Sequence, residues 1–127
     1  MDQAVLVNMD IERGSEILSI LDRAKIKVSV ALWAHLAEYE DWRFVLLAKA
    51  FDELELRKAY RLLNESLSAE GMGVEKTPVL FILPMTDPFV KELRKMFSRT
   101  KSVEGMRLGG QLIGGRFLKD AFVYRVR

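Results

Sequence analysis

Between Ile26 and Ala50 the apolar residues recur at every second position, and this alternation constrains the fold more than any other feature of the chain. Ile26, Val28, Val30, Leu32, Ala34 and Leu36 share one parity; Lys25, Lys27, Ser29, Ala31, Trp33 and His35 share the other. A period of two sends successive side chains to opposite faces of a β-strand. After the polar stretch Glu38-Tyr39-Glu40-Asp41 the pattern resumes. Trp42, Phe44, Leu46, Ala48 and Ala50 then occupy one face, and Arg43, Val45, Leu47 and Lys49 the other. So short a connection predicts an antiparallel hairpin. A loop over Glu38 to Asp41 sets Ala37 opposite Trp42, His35 opposite Phe44 and Trp33 opposite Leu46.

The flanking segments follow other periods. Residues 10–24 read as a helix capped by Asp10, with Ile11, Ile17, Leu18, Leu21 and Ala24 on its apolar stripe. Val7 extends that stripe toward the N-terminus, and Gly14 weakens the middle. A second helix runs from Asp52 to about Ala69, with Glu53 and Glu55 in its first turn and Leu56, Tyr60, Leu63 and Leu67 buried. Gly71 and Gly73 end it. Val79 to Leu83, between Pro78 and Pro84, is apolar on both parities and predicts a strand buried on both faces. Asp87-Pro88 opens a third helix reaching about Arg99, with Phe89, Val90, Leu93, Met96 and Phe97 inward. Met106 to Ile113 is extended and broken at Gly109-Gly110, and Gly114-Gly115 makes a two-residue turn into a final strand, residues 116–126. The order α-β-β-α-β-α-β-β predicts an α+β fold, one domain over 1–127, with a single mixed, largely antiparallel sheet carrying packed helices.

Composition removes whole classes of chemistry. The 127 residues include no cysteine and one histidine, His35. Disulfides, Cys-ligated metals and multi-histidine sites are excluded, which leaves only a hard cation held by carboxylates; the leading expectation is no metal site and no cofactor. The acidic turn Glu38, Glu40, Asp41 lacks the spacing of a calcium loop and reads as a solvated tip. The glycine pairs of Gly109 to Gly115 lack the Gly-Lys-Ser/Thr ending and the strand-to-helix context of a phosphate loop. An α-β-β opening resembles the restriction-endonuclease-like core. Asp41 and Lys49 are present, but no acid lies on the strand between them, as magnesium-dependent cleavage there requires. The Met1–Asn8 stretch has no secretory apolar run, and Val79–Leu83 is too short to span a bilayer, so a cytoplasmic chain without a membrane partner is expected.

Three functional readings survive. The hairpin face bearing Trp33, His35, Trp42, Phe44 and Leu46 carries more apolar surface than one chain's helices need. This predicts a small non-enzymatic binding protein that self-associates there, as a homodimer. His35 among aromatics reads as a packed residue, with Glu38 or Asp41 as its nearest carboxylate in sequence. The second reading rests on charge. Residues 1–85 carry 10 Lys/Arg against 14 Asp/Glu, and residues 86–127 carry 10 against 4. Lys91, Arg94, Lys95, Arg99, Lys101, Arg107, Arg116 and Lys119 form a basic C-terminal third able to meet nucleic acid. The third is an enzyme built on the carboxylates Asp41, Asp87 and Asp120 holding a divalent metal. Asp87 is accounted for as a helix cap. Asp120 shares the parity of Leu118, Phe122, Tyr124 and Val126, so either a bulge at Asp120-Ala121 turns it outward or a partner such as Arg116 or Arg107 satisfies it.

Ala31-Leu32-Trp33, Glu38-Tyr39-Glu40-Asp41-Trp42-Arg43 and Asp120-Ala121-Phe122-Val123-Tyr124-Arg125 together resemble segments of a group of short uncharacterised bacterial α+β proteins. The resemblance implies no activity and carries no site residues.

Overall fold

The alternating segments pair as a hairpin, and the hairpin forms the middle of the sheet. Strand β1 (Val28–Leu36) runs antiparallel to β2 (Arg43–Ala48). Trp33 lies opposite Phe44 where the short loop would have set Leu46. The shift is two residues, and an even slip leaves every side chain on its expected face. An irregularity between Val28 and Val30 does move one residue: Val28 joins the face of Trp33 while Val30 stays with Leu32. The structure, a computed structural model, describes residues 6–127; the reading of the first five residues lies outside the described residues.

An open six-stranded mixed sheet grows outward from this pair. On one side β3 (Leu80–Ile82) joins β2 in parallel. On the other, β6 (Arg116–Val126) joins β1 antiparallel, and β4 (Met106–Leu108) and β5 (Gln111–Ile113) pair with successive stretches of β6. Val79–Leu83 is therefore not a doubly buried central strand. It supplies an edge strand between two prolines, with Val79 exposed. Its outward Ile82 N–H donates to the Tyr60 hydroxyl at 2.9 Å, which blunts the open edge. The strands buried on both faces are β1 and β2.

Helix α1 (Asn8–Arg23) and α3 (Leu56–Ala69) cover the face that carries Trp33, Phe44 and Leu46. Helix α4 (Pro88–Met96) covers the opposite face, over Leu32, Ala34, Val45 and Leu47. Asp10 is not the cap of α1. It sits in the first turn and accepts from the Val7 N–H at 3.2 Å. The helix ends in a Schellman motif, with Ile26 N–H on Leu21 O and Lys25 N–H on Asp22 O, which puts Lys25 at φ 64°. Asp52 does not open α3 either. Strand β2 stops at Ala48 and a single helical turn, α2 (Lys49–Asp52), buries Phe51. This delays α3 to Leu56, which is left exposed at its mouth, and Ala59, Leu63 and Leu67 form the buried stripe. The Asp87 cap and the Pro88 start of α4 are as the sequence indicates: the carboxylate accepts from Phe89 N–H at 2.8 Å.

The Gly114-Gly115 turn carries a tertiary contact as well as a hairpin. Both residues have positive φ, 53° and 85°. A Cβ built on Gly114 would land on the backbone of Pro88 and Phe89, so the turn packs directly against the first residues of α4. Gly114→Ala is expected to cost about 2–3 kcal/mol, since the left-handed backbone penalises alanine and rigid backbone must retreat. Chemical denaturation checks this; Gly115→Ala, with open space at its Cβ, should cost only the backbone share.

Candidate functional site

The five residues assigned to a self-association face lie inside the protein. Trp33 and Trp42 are 2% and 8% exposed, His35 is 6% exposed, and Phe44 and Leu46 are fully buried. Phe44 packs against Trp33 and Tyr124 with ring centroids 5.2 and 5.7 Å away, and His35 stacks on Trp42 at 5.4 Å. The apolar excess seen in the sequence is used within the chain, because three helices cover two faces. A second copy finds no surface there. The two carboxylates nearest His35 in sequence are engaged by arginines instead: Glu38 bonds Arg116 at 2.7 Å, and Asp41 has Arg43 as its cation at 3.9 Å. Trp42 Nε1 and Arg43 Nε, flanking the hairpin loop, are buried without hydrogen-bond partners among the described residues.

The three aspartates do not meet. Asp87 bonds Arg116 at 3.2 Å, Asp120 bonds Arg107 at 2.9 Å, and Asp41 lies beside Arg43. Among the described residues no group of three His, Asp or Glu side chains is placed to hold a metal ion. The carboxylate-enzyme reading therefore loses its site. An irregularity in β6 between Leu118 and Asp120, one residue ahead of the expected bulge, sends Leu118 to the opposite face; Asp120 stays on the face of Phe122, half-exposed, and a partner, Arg107, satisfies it. Arg116 joins Glu38 to Asp87. Burial opposes its charge, but the bonds from Glu38 and Asp87 outweigh that and hold its pKa above the ordinary value.

Those ion pairs sort the basic residues. Arg107 and Arg116 are engaged by carboxylates, and Lys119 stands exposed on β6. Lys91, Arg94, Lys95, Arg99 and Lys101 make no ion pair among the described residues; Arg94 is half-buried and the other four are exposed. Their placement follows from the periodicity of α4. Phe89, Val90 and Leu93 face the sheet, which turns Lys91 and Lys95 outward one turn apart, about 6 Å along the axis. Arg94 and Lys95 also sit at the helix C-terminus, where the dipole favours cations. Across residues 91–101 five cations face one carboxylate, Glu92. The helices on the other side of the sheet have the reverse balance: residues 8–23 and 49–70 carry nine carboxylates against six cations. The sheet thus separates an acidic helical layer from a basic one.

Beside the basic strip lies a half-open groove of ≈ 350 Å³ between α1, the loop at 100–104 and the end of β6. Its wall is set by Arg125, whose guanidinium bonds both oxygens of Asp22 at 3.0 and 3.1 Å and also reaches Val28 O. The Arg125 hydrogen bond, with the charges of Arg125 and Arg127, holds the Asp22 carboxyl below its usual range against the opposing effect of burial. Sequence reasoning missed this groove. Its only local trace is the polar row Ser15, Ser19 and Asp22 on α1, and the register of β6 brings the rest.

Tyr124 borders the groove and anchors α1. Its hydroxyl donates to Ile11 O at 2.6 Å, while Trp33 Nε1 donates to Asp10 O at 3.1 Å. Gly14 faces the Tyr124 ring, with Cζ 2.7 Å from where a Cβ would stand. This glycine serves close packing rather than merely weakening a helix. Burial first, and then the nearby Asp10 charge, push the Tyr124 hydroxyl up to about 12. The neutral form is favoured by the fold, so its stabilising contribution is complete below pH 10 and lost as pH rises toward 12. Tyr124→Phe should flatten that alkaline decline in denaturation midpoints and remove the late phase of the phenolate absorbance titration.

No helix among the described residues is long and apolar enough to cross a membrane. No family model matches the chain, and neither a curated protein nor a solved structure matches it.

Proposed function

We propose that this chain is a binding protein for nucleic acid that meets the phosphate backbone with the outer face of α4 and the residues just after it. The observation that carries the reading is the set Lys91, Arg94, Lys95, Arg99 and Lys101, which makes no ion pair among the described residues and is placed across the sheet from the acidic helices. Cations already held by carboxylates gain little from a phosphate, whereas these five are free to displace condensed counterions. Phe97, the one aromatic residue between them, is buried against the sheet and offers no stacking surface, so the contact is to backbone and independent of base sequence.

Fluorescence anisotropy with labelled duplex and single-stranded oligonucleotides over a salt series tests the proposal. Five phosphate contacts give a log–log salt slope of about −4.5 on duplex, or a loss of about 500-fold between 50 and 200 mM salt. Absence of binding at 50 mM, or binding insensitive to salt, overturns it.

A further inference from the structure

We propose that the groove between α1 and the end of β6 is a binding site for a phosphate monoester. The groups that line it are the argument. Ser15 and Ser19 come from α1, and Thr100 and Ser102 from the loop after α4. Among the described residues none of these four hydroxyls hydrogen-bonds to protein through its side chain. Lys101 and Arg127 line the same space and make no ion pair among the described residues. Arg125 is different. Its two bonds to Asp22 neutralise that carboxylate and fix the wall.

Two cations and four hydroxyls without protein partners, brought together from three elements, exceed what the two oxygens of a carboxylate ligand can use. A phosphate monoester presents three acceptor oxygens and close to two negative charges near neutral pH, which suits ammonium, guanidinium and hydroxyl donors together. The volume, ≈ 350 Å³, is near the lower end for small-molecule sites and matches one phosphorylated sugar-sized group. Glu104 is the remaining carboxylate in the wall. It limits the site to a single phosphate and offers an acceptor to a hydroxyl on the ligand.

Two sources carry this chemistry: a free sugar phosphate, and the terminal phosphate of a nucleic-acid strand. The second rests on the nucleic-acid reading, since Lys101 belongs both to the α4 strip and to the groove; the first does not.

Amide chemical-shift titrations with ribose 5-phosphate and inorganic phosphate probe the first source. Anisotropy with 5′-phosphorylated and 5′-hydroxyl strands of one sequence probes the second. Ribose 5-phosphate is expected to shift amides in Ser15–Asp22 and Thr100–Glu104, or the 5′-phosphate to tighten strand binding about ten-fold. Ser19→Leu, an exposed helical position where leucine is tolerated, should remove either effect while leaving the 5′-hydroxyl strand within about two-fold. If no strand binds but ribose 5-phosphate does, the α4 reading falls and the groove stands. If strands bind but neither phosphate probe registers, or Ser19→Leu changes nothing, the groove proposal is overturned and the α4 reading is untouched.

Discussion

Replacing Phe44 with alanine is expected to lower unfolding free energy by about 3–5 kcal/mol and to leave the oligomeric state unchanged. Phe44 is fully buried, between Trp33 on the neighbouring strand and Tyr124 on β6. Truncation removes an aromatic ring and leaves a cavity that strands on both sides of β1 cannot close without breaking ladder pairs. For a domain whose whole stability is about 5–15 kcal/mol, that is a large fraction. The same change separates two roles for the hairpin face. A core residue shifts the denaturation midpoint; an interface residue shifts the sedimentation coefficient and spares the midpoint. The second outcome would reinstate the self-association reading that burial removes.

The second large effect lies on the opposite side of the sheet. Neutralising Lys91, Lys95 and Arg99 together with glutamine is expected to reduce the duplex salt slope from about −4.5 to about −1.8. If the two lines converge near 1 M salt, the loss of affinity at 50 mM salt is on the order of a thousand-fold. Stability should stay within about 0.5 kcal/mol, because all three side chains are exposed and outside the ion pairs. The matched control is Arg57, Lys58 and Arg61 on α3, changed in the same way. These cations sit among Asp52, Glu53, Glu55 and Glu65, and their loss should alter affinity by no more than about two-fold. Equal losses from both triple variants would mean that overall charge, not the α4 face, drives binding.

The sequence made some of this legible and withheld the rest for identifiable reasons. Local signals were reliable. Period two marked the hairpin, Asp87-Pro88 marked the start of α4, and Gly114-Gly115 marked the last turn, because each depends on a few neighbouring dihedral angles. Position within the sheet was not local. Val79–Leu83 looked central because it is apolar on both parities, yet prolines at both ends and the Tyr60 hydroxyl suit it to an edge. β1 and the residues leading into it carry Lys25, Lys27 and Ser29 on the parity of Trp33, the face expected to meet a second copy, yet β1 is the most enclosed strand. Its polar residues cluster at or before its first turn, while Ala31, Trp33 and His35 on the same parity are buried. The same distinction governs function. Free cations were visible in the sequence, but which of them carboxylates would occupy was not. Arg107 meets Asp120 across 13 residues and Arg116 meets Glu38 across 78. The groove is less legible still, since Ser15 and Thr100 share no local pattern.

The division of the molecule into an acidic and a basic side is tested most directly by mapping amide chemical-shift changes on adding a duplex oligonucleotide at low salt. Changes concentrated in residues 88–101, with α1 and α3 outside Ser15–Asp22 silent, are the predicted result. Changes concentrated on α3, or an unperturbed spectrum at saturating oligonucleotide, would contradict it.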